Sequence, residues 1–155
     1  MAITNSTFVD AVNRNYELVN KYLHYGMDVV PRVTWASVDT NEFIAEWLVT
    51  SDYISSTGCI DEGCLGTITD NTTAMLIGSL VPGDKSVSTS ISVQGVSPIA
   101  PQTTVEIWCR MSNRGTKQPH ATAVFRDKLD PSRIYAVGTH TKFFKTGLVE
   151  TQPKM

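Results

Sequence analysis

The apolar and polar positions of this chain fall into two patterns. Between Asp61 and Leu80, Leu65, Ile68, Thr72, Met75, Leu76 and Leu80 recur at three- and four-residue spacing, while the other positions carry Gly, Ala, Thr and Ser rather than Lys or Glu. That pattern predicts a helix enclosed on most sides. Asp61 and Glu62 stand where acids favour a helix start, and Pro82-Gly83 provides the stop. Gly63, Gly66 and Gly78 with Thr67, Thr69, Thr72 and Thr73 would weaken an exposed helix. Packing must therefore hold it, with other backbone expected close to Gly63 and Gly66.

Elsewhere the period is two. Arg32 to Ala36 and Glu42 to Thr50 form a predicted hairpin across Ser37–Asn41, with Phe43, Ala45, Trp47 and Val49 opposite Ile44, Glu46 and Leu48. Ser86 to Gly95 alternates Val87, Ile91 and Val93 with Ser88, Ser90, Ser92 and Gln94. Thr103 to Met111, Ala121 to Arg126 and Arg133 to Phe144 complete the strand signals. Ahead of them, residues 6–25 read as an amphipathic helix with Phe8, Val9, Val12, Tyr16, Val19 and Tyr22 on one face. The expected architecture is α+β: one domain over residues 1–155, its core at about 32–144. A mostly antiparallel sheet of about six strands would curl around the long central helix. Its open edges call for self-association as a homodimer or tetramer.

Composition narrows the function classes. A net charge of −2 on a mixed surface argues against an electrostatic nucleic-acid binder. No stretch resembles a membrane span or a secretory signal, so an intracellular, cytoplasmic protein is expected. Cys59, Cys64 and Cys109 lack zinc-ligand spacing and His24, His120 and His140 are scattered, so no metal site is expected and the thiols read as free and largely buried.

One charge asks for an explanation. From Gly63 to Gly83 the single formal charge is Asp70. A carboxylate in so apolar a helix is either bonded to nearby Thr hydroxyls and backbone or at work in chemistry.

With the order laid out, residues from about Arg32 to Phe144 resemble the hotdog-fold thioesterases, in the PaaI-like branch that includes the acyl-CoA thioesterases of the thioesterase superfamily. Thr67-Ile68-Thr69-Asp70-Asn71 is similar to that family's Thr-Leu-Val-Asp-Asn. Val87-Ser88 matches its next strand start, Val96-Ser97-Pro98 its Met-Ser-Pro, Gly115 a hairpin Gly, and Gly138-Thr139-His140-Thr141-Lys142 its Gly-Arg-His-Thr-Lys. The family's His-Gly-Gly at the helix opening is replaced by Asp61-Glu62-Gly63, and Ser55 stands where members often have Asn.

The resemblance implies thioester hydrolysis of acyl-CoA or acyl-carrier-protein substrates, without a separate cofactor. Asp70 would be general base or nucleophile, the backbone at Glu62 would polarise the carbonyl, and Ser88 from a neighbouring subunit would place the water, with Asp61 and Ser55 nearby. Gly63 would flank the carbonyl, Val96, Ser97 and Pro98 would line a pantetheine passage, and Asn113, Arg114, Gly115, Lys117, Lys142 and Phe143 would meet the nucleotide of CoA. Other readings stay open. Asp61, Glu62 and Asp70 could form a carboxylate cluster for dehydration, isomerisation or cyclisation in a polyketide or other natural-product pathway. The chain could instead bind acyl thioesters, with a carrier protein as partner, without catalysis. Asp61 and Glu62 also read as simple helix-capping acids, and Arg114 and Lys117 as solubilising charges.

Overall fold

The computed structural model describes residues 8–10, 12–14, 31–81, 86–115 and 117–145. Six strands form one sheet: β1 (Arg32–Ser37), β2 (Glu42–Leu48), β3 (Ser86–Gly95), β4 (Thr104–Asn113), β5 (His120–Asp127) and β6 (Ile134–Phe144). Their order is β1-β2-β4-β5-β6-β3, and every neighbouring pair is antiparallel. The central helix, Glu62–Leu80, joins β2 to β3 and lies against β3, β4, β5 and β6. Residues 8–10 and 12–14 are helical, with Phe8 and Val12 buried in the core; the rest of the predicted helix over 6–25 lies outside the described residues, as do Pro82 and Gly83. No described helix is long and apolar enough to cross a membrane.

The two-residue period explains which face of the sheet meets the helix. One cross-strand row runs Phe43, Cys109, Ala123, Gly138 and Val93, and the next runs Ala45, Ile107, Phe125, Ala136 and Gly95. Ala121, Ala123, Ala136 and Gly138 form a low floor, so the helix can approach the sheet closely. Burying Cys109 there pushes its thiol up to about 12, which keeps it protonated and inert. Cys59 and Cys64 are only half-buried, contrary to the expectation for all three thiols.

The helix threonines fit this burial because their hydroxyls bond backward along the helix. Thr67 donates to the Gly63 carbonyl at 3.0 Å, Thr72 to Ile68 at 2.7 Å and Thr73 to Thr69 at 2.5 Å. The close approach predicted for Gly63 and Gly66 occurs elsewhere. A Cβ on Gly66 would meet nothing within 4 Å, and one on Gly63 would meet only the Asp61 side chain. The tight glycine is Gly138, which receives Thr69 of the helix.

β3 departs from simple alternation. Its register against β6 shifts between Ser88 and Ser90, so that Ser88 pairs with Lys142 while Ile91 pairs with His140. His140 and Lys142 are two apart and share a face, so the bulge places Ser88 on the same face as Ile91. The expected separation of Ser88 from Ile91 is thereby overturned, since an extra residue inverts the alternation beyond it. β3 is also an open edge, with Val87 61% and Ile91 40% exposed.

Candidate active site

Asp61 sits at the N-cap with extended backbone, and its carboxylate accepts from the Cys64 N–H at 3.2 Å. Gly63 makes room for this, because a Cβ there would stand 2.8 Å from Asp61 Oδ1. The N–H groups of Glu62 and Gly63 find no backbone or side-chain acceptor among the described residues. Two aligned donors therefore remain at the positive end of the helix. Glu62 borders a cleft of about 260 Å³ walled also by Leu65 from the helix, Val96, Ser97 and Pro98 after β3, and Tyr135 of β6. Four of the predicted site residues thus meet in one place.

A second cluster forms halfway along the helix. His140 is fully buried; its Nδ1 lies 2.7 Å from Thr73 Oγ1 and its Nε2 lies 2.9 Å from Ser88 Oγ. The single hydroxyl proton of Thr73 already goes to the Thr69 carbonyl, so Thr73 accepts from His140 Nδ1–H. Neutral imidazole then has its lone pair on Nε2, and the Ser88 hydroxyl donates to it. Lys142 Nζ donates in turn to Ser88 Oγ at 3.3 Å. Burial, followed by the charge on Lys142, pushes His140 down from the usual 6.5 to about 4, against the opposing pull of Asp70 and with a further push from His120. Burial also lowers Lys142, and Asp70 opposes this.

Asp70 Oδ1 stands 3.6 Å from the same Nε2. That nitrogen has no proton to offer while the ring is neutral. No described residue donates a hydrogen bond to the Asp70 carboxylate, and its side chain is 43% exposed. The Thr hydroxyls that could have satisfied it bond to backbone carbonyls instead. Ser88 and Asp70 of one chain share a His140 atom, so one water can touch both.

The depressed His140 value sets a pH dependence. Above about 6.5 the ring is neutral in both folded and unfolded chains; between about 6.5 and about 4 only the unfolded chain takes the proton. Stability therefore falls as pH falls through that window, by at most about 1.4 kcal/mol per pH unit. Urea midpoints at successive pH values should show this slope in the native protein and a shallower one in His140→Gln. Equal slopes would remove His140 as the cause.

The remaining predicted residues lie apart from these two clusters. Ser55 Oγ bonds Thr57 Oγ1 at 2.7 Å and the Cys59 carbonyl at 3.0 Å, closing a turn. Arg114 donates to the Leu80 carbonyl at 3.1 Å and to Asn41 Oδ1 at 3.4 Å, so its guanidinium caps the far end of the central helix. Asn113 Oδ1 accepts from the Gly115 N–H at 2.8 Å, shaping the β4–β5 connection. Lys117 and Phe143 are exposed, and the Lys117 carbonyl accepts from Phe144 N–H at the end of β6. Sequence reasoning missed His140 as a site residue. A signal existed: Gly138, His140 and Lys142 share one strand face.

An antiparallel sheet in this strand order, curved around one buried central helix, is the hotdog fold. The chain is similar to the zebra fish thioesterase superfamily member 2 structure, with 18% identity, TM-score 0.74, and coverage of 92% of this chain and 99% of that one. It is similar to the E. coli PaaI protein of the phenylacetic acid degradation operon, with 11% identity, TM-score 0.72, and coverage of 90% and 97%. A Streptococcus pneumoniae TIGR4 hypothetical thioesterase protein with coenzyme A matches at 15% identity and TM-score 0.65, with coverage of 74% and 85%. No protein-family model matches the sequence, and no curated protein does.

Proposed function

We propose that this protein hydrolyses acyl thioesters carried by coenzyme A or a carrier protein, with Asp70 as general base. The observation that carries this reading is the state of Asp70: a half-exposed carboxylate, given no hydrogen bond by the described residues, in a helix segment otherwise free of charge. The thioesterase names of the similar structures, and the coenzyme A in one of them, support the substrate class. Ser88, whose proton is committed to His140, offers a lone pair to a water while Asp70 takes that water's proton. The water oxygen bonds to the carbonyl carbon, and the resulting oxyanion is held by the N–H groups at Glu62 and Gly63. Collapse breaks the carbon–sulfur bond, and the proton held by Asp70 goes to the leaving thiolate.

Asp70 lies eight residues beyond Glu62, roughly 12 Å along the helix axis. A carbonyl must touch both its base and its oxyanion donors at about 3 Å. The site therefore uses Asp70 of one copy and the helix start of another, and the exposed apolar edge of β3 is the surface on which two copies would pair. Thiol release from a panel of acyl-CoA substrates, with products identified by mass spectrometry, tests the chemistry. A rearranged acyl group without free thiol would point to non-hydrolytic chemistry, and silence in both to a binding protein.

The two-copy geometry has its own test. Glu62→Pro removes one donor at a position where helices accept Pro. Co-expressed with Asp70→Asn, it should regain about a quarter of native turnover, because half of the dimers are mixed and each mixed dimer holds one intact site. No recovery above the separate variants would place both groups in one chain's site.

A further inference from the structure

The cleft beside the helix start has a one-sided hydrogen-bond inventory. Its floor is apolar, with Ile60, Leu65 and Tyr135 8%, 3% and 2% exposed. The hydroxyl protons around it, and two of its amide protons, are already committed. Ser97 Oγ donates to the Ile134 carbonyl at 2.7 Å, and the Tyr135 hydroxyl donates to Asp127 Oδ2 at 2.6 Å. The N–H groups of Val96 and Ser97 both donate to the Tyr135 carbonyl, at 2.8 and 3.1 Å. Cys59 adds only a weak thiol donor. Among the described residues, Glu62 is the one formal charge lining the cleft, and no Lys or Arg lines it. No described residue donates a hydrogen bond to its carboxylate, whereas the neighbouring Asp61 carboxylate is turned onto Cys64 N–H.

Apart from the helix-start N–H groups reserved for the carbonyl, the cleft thus presents acceptors over an apolar base. We infer that this cleft, which the resemblance would give to pantetheine along Val96, Ser97 and Pro98, holds the acyl chain instead, that it selects thioesters whose acyl chain carries a hydrogen-bond donor, an amino or hydroxyl group, and that it discriminates against acyl chains ending in a carboxylate. A donor reaching Glu62 makes a charge-assisted bond. A plain alkyl chain leaves that carboxylate partly desolvated and unpaired, and a second carboxylate adds like-charge repulsion. This specificity rests on the thioester reading for what the ligand is, but it is testable through binding alone.

The experiment is calorimetric titration of the full 155-residue chain with non-hydrolysable thioether analogues of coenzyme A. Their otherwise identical short chains end in ammonium, hydroxyl, methyl or carboxylate. The ammonium and hydroxyl analogues should bind on the order of tenfold or more tighter than the methyl analogue, with the carboxylate analogue weakest. In Glu62→Gln the ammonium preference should fall and the carboxylate penalty should narrow, so that the four affinities converge. Equal affinities in the native protein, a reversed order, an order that survives Glu62→Gln, or no binding by any analogue would overturn the assignment. If the order appears while the matching thioesters release no thiol, the cleft's specificity stands and the hydrolase reading falls. If thioesters are hydrolysed with no preference, the reverse holds.

Discussion

Asp70→Asn should lower kcat for acyl-CoA hydrolysis by about a hundred- to ten-thousand-fold, the range for losing a positioned general base. The substitution keeps the shape of the side chain and removes its ability to take a proton from water. Because the side chain is 43% exposed and receives no hydrogen bond from the described residues, stability at neutral pH should change by only about 0.5 kcal/mol. Thiol-release kinetics beside a urea melt separate the two effects. Turnover at native levels would eliminate Asp70 as the base, and a large loss of stability would mean that its role is structural. The variant also removes the charge that opposes the depression of His140, so its acid-side loss of stability should extend to lower pH.

Gly138→Ala should be the most damaging small change to the fold. A Cβ at that position would stand 2.5 Å from Thr69 Cγ2 and 3.0 Å from Thr69 Cβ, and would press on Thr69 Oγ1 as well. Both residues are buried, so the helix must lift or β6 must bend. Overpacking of this kind costs about 1–3 kcal/mol, and a chain of this size loses about 2–4 °C of Tm for each kcal/mol. The lesion has a specific remedy. Thr69→Ala removes the two clashing branch atoms, including a buried hydroxyl oxygen that has no hydrogen-bond partner. The double variant should therefore melt above the value expected from summing the two single changes, a non-additivity expected only of residues in contact. Simple additivity would refute the contact. Gly138 also sits two residues before His140, so any bend there should disturb the Ser88 and Thr73 bonds and reduce activity together with stability.

These two predictions mark where sequence reading succeeds and where it stops. Asp70 stood out because a lone charge within a 3.6-residue apolar pattern is a local anomaly, visible without knowing any neighbour. Asp61 as a cap was legible for the same reason, since capping depends on residues three apart. Gly138 was not legible as the point of close approach. A glycine shows that something could come near, but what comes near is Thr69, distant in sequence and joined only through the sheet. His140 was legible as part of a motif and not as a buried neutral base, because its burial depends on the helix pressing onto the small residues of β5 and β6. Ser88 was placed on the wrong face relative to Ile91, since the run Ser88-Thr89-Ser90 has no apolar residue to reveal where alternation slips.

The sequence by itself determined the elements and, outside β3, their buried faces: one enclosed helix with an acid at its middle, and six strands with a two-residue period. Those features arise from interactions within a few residues, which the order of side chains encodes directly. Only the tertiary structure decided that His140 joins Thr73 to Ser88 beside Asp70, that Arg114 caps the far end of the helix, and that Glu62 faces a cleft whose donors are spent. Each of these depends on strand register and on how closely the helix settles on the sheet, and both are set by contacts between residues far apart in the chain.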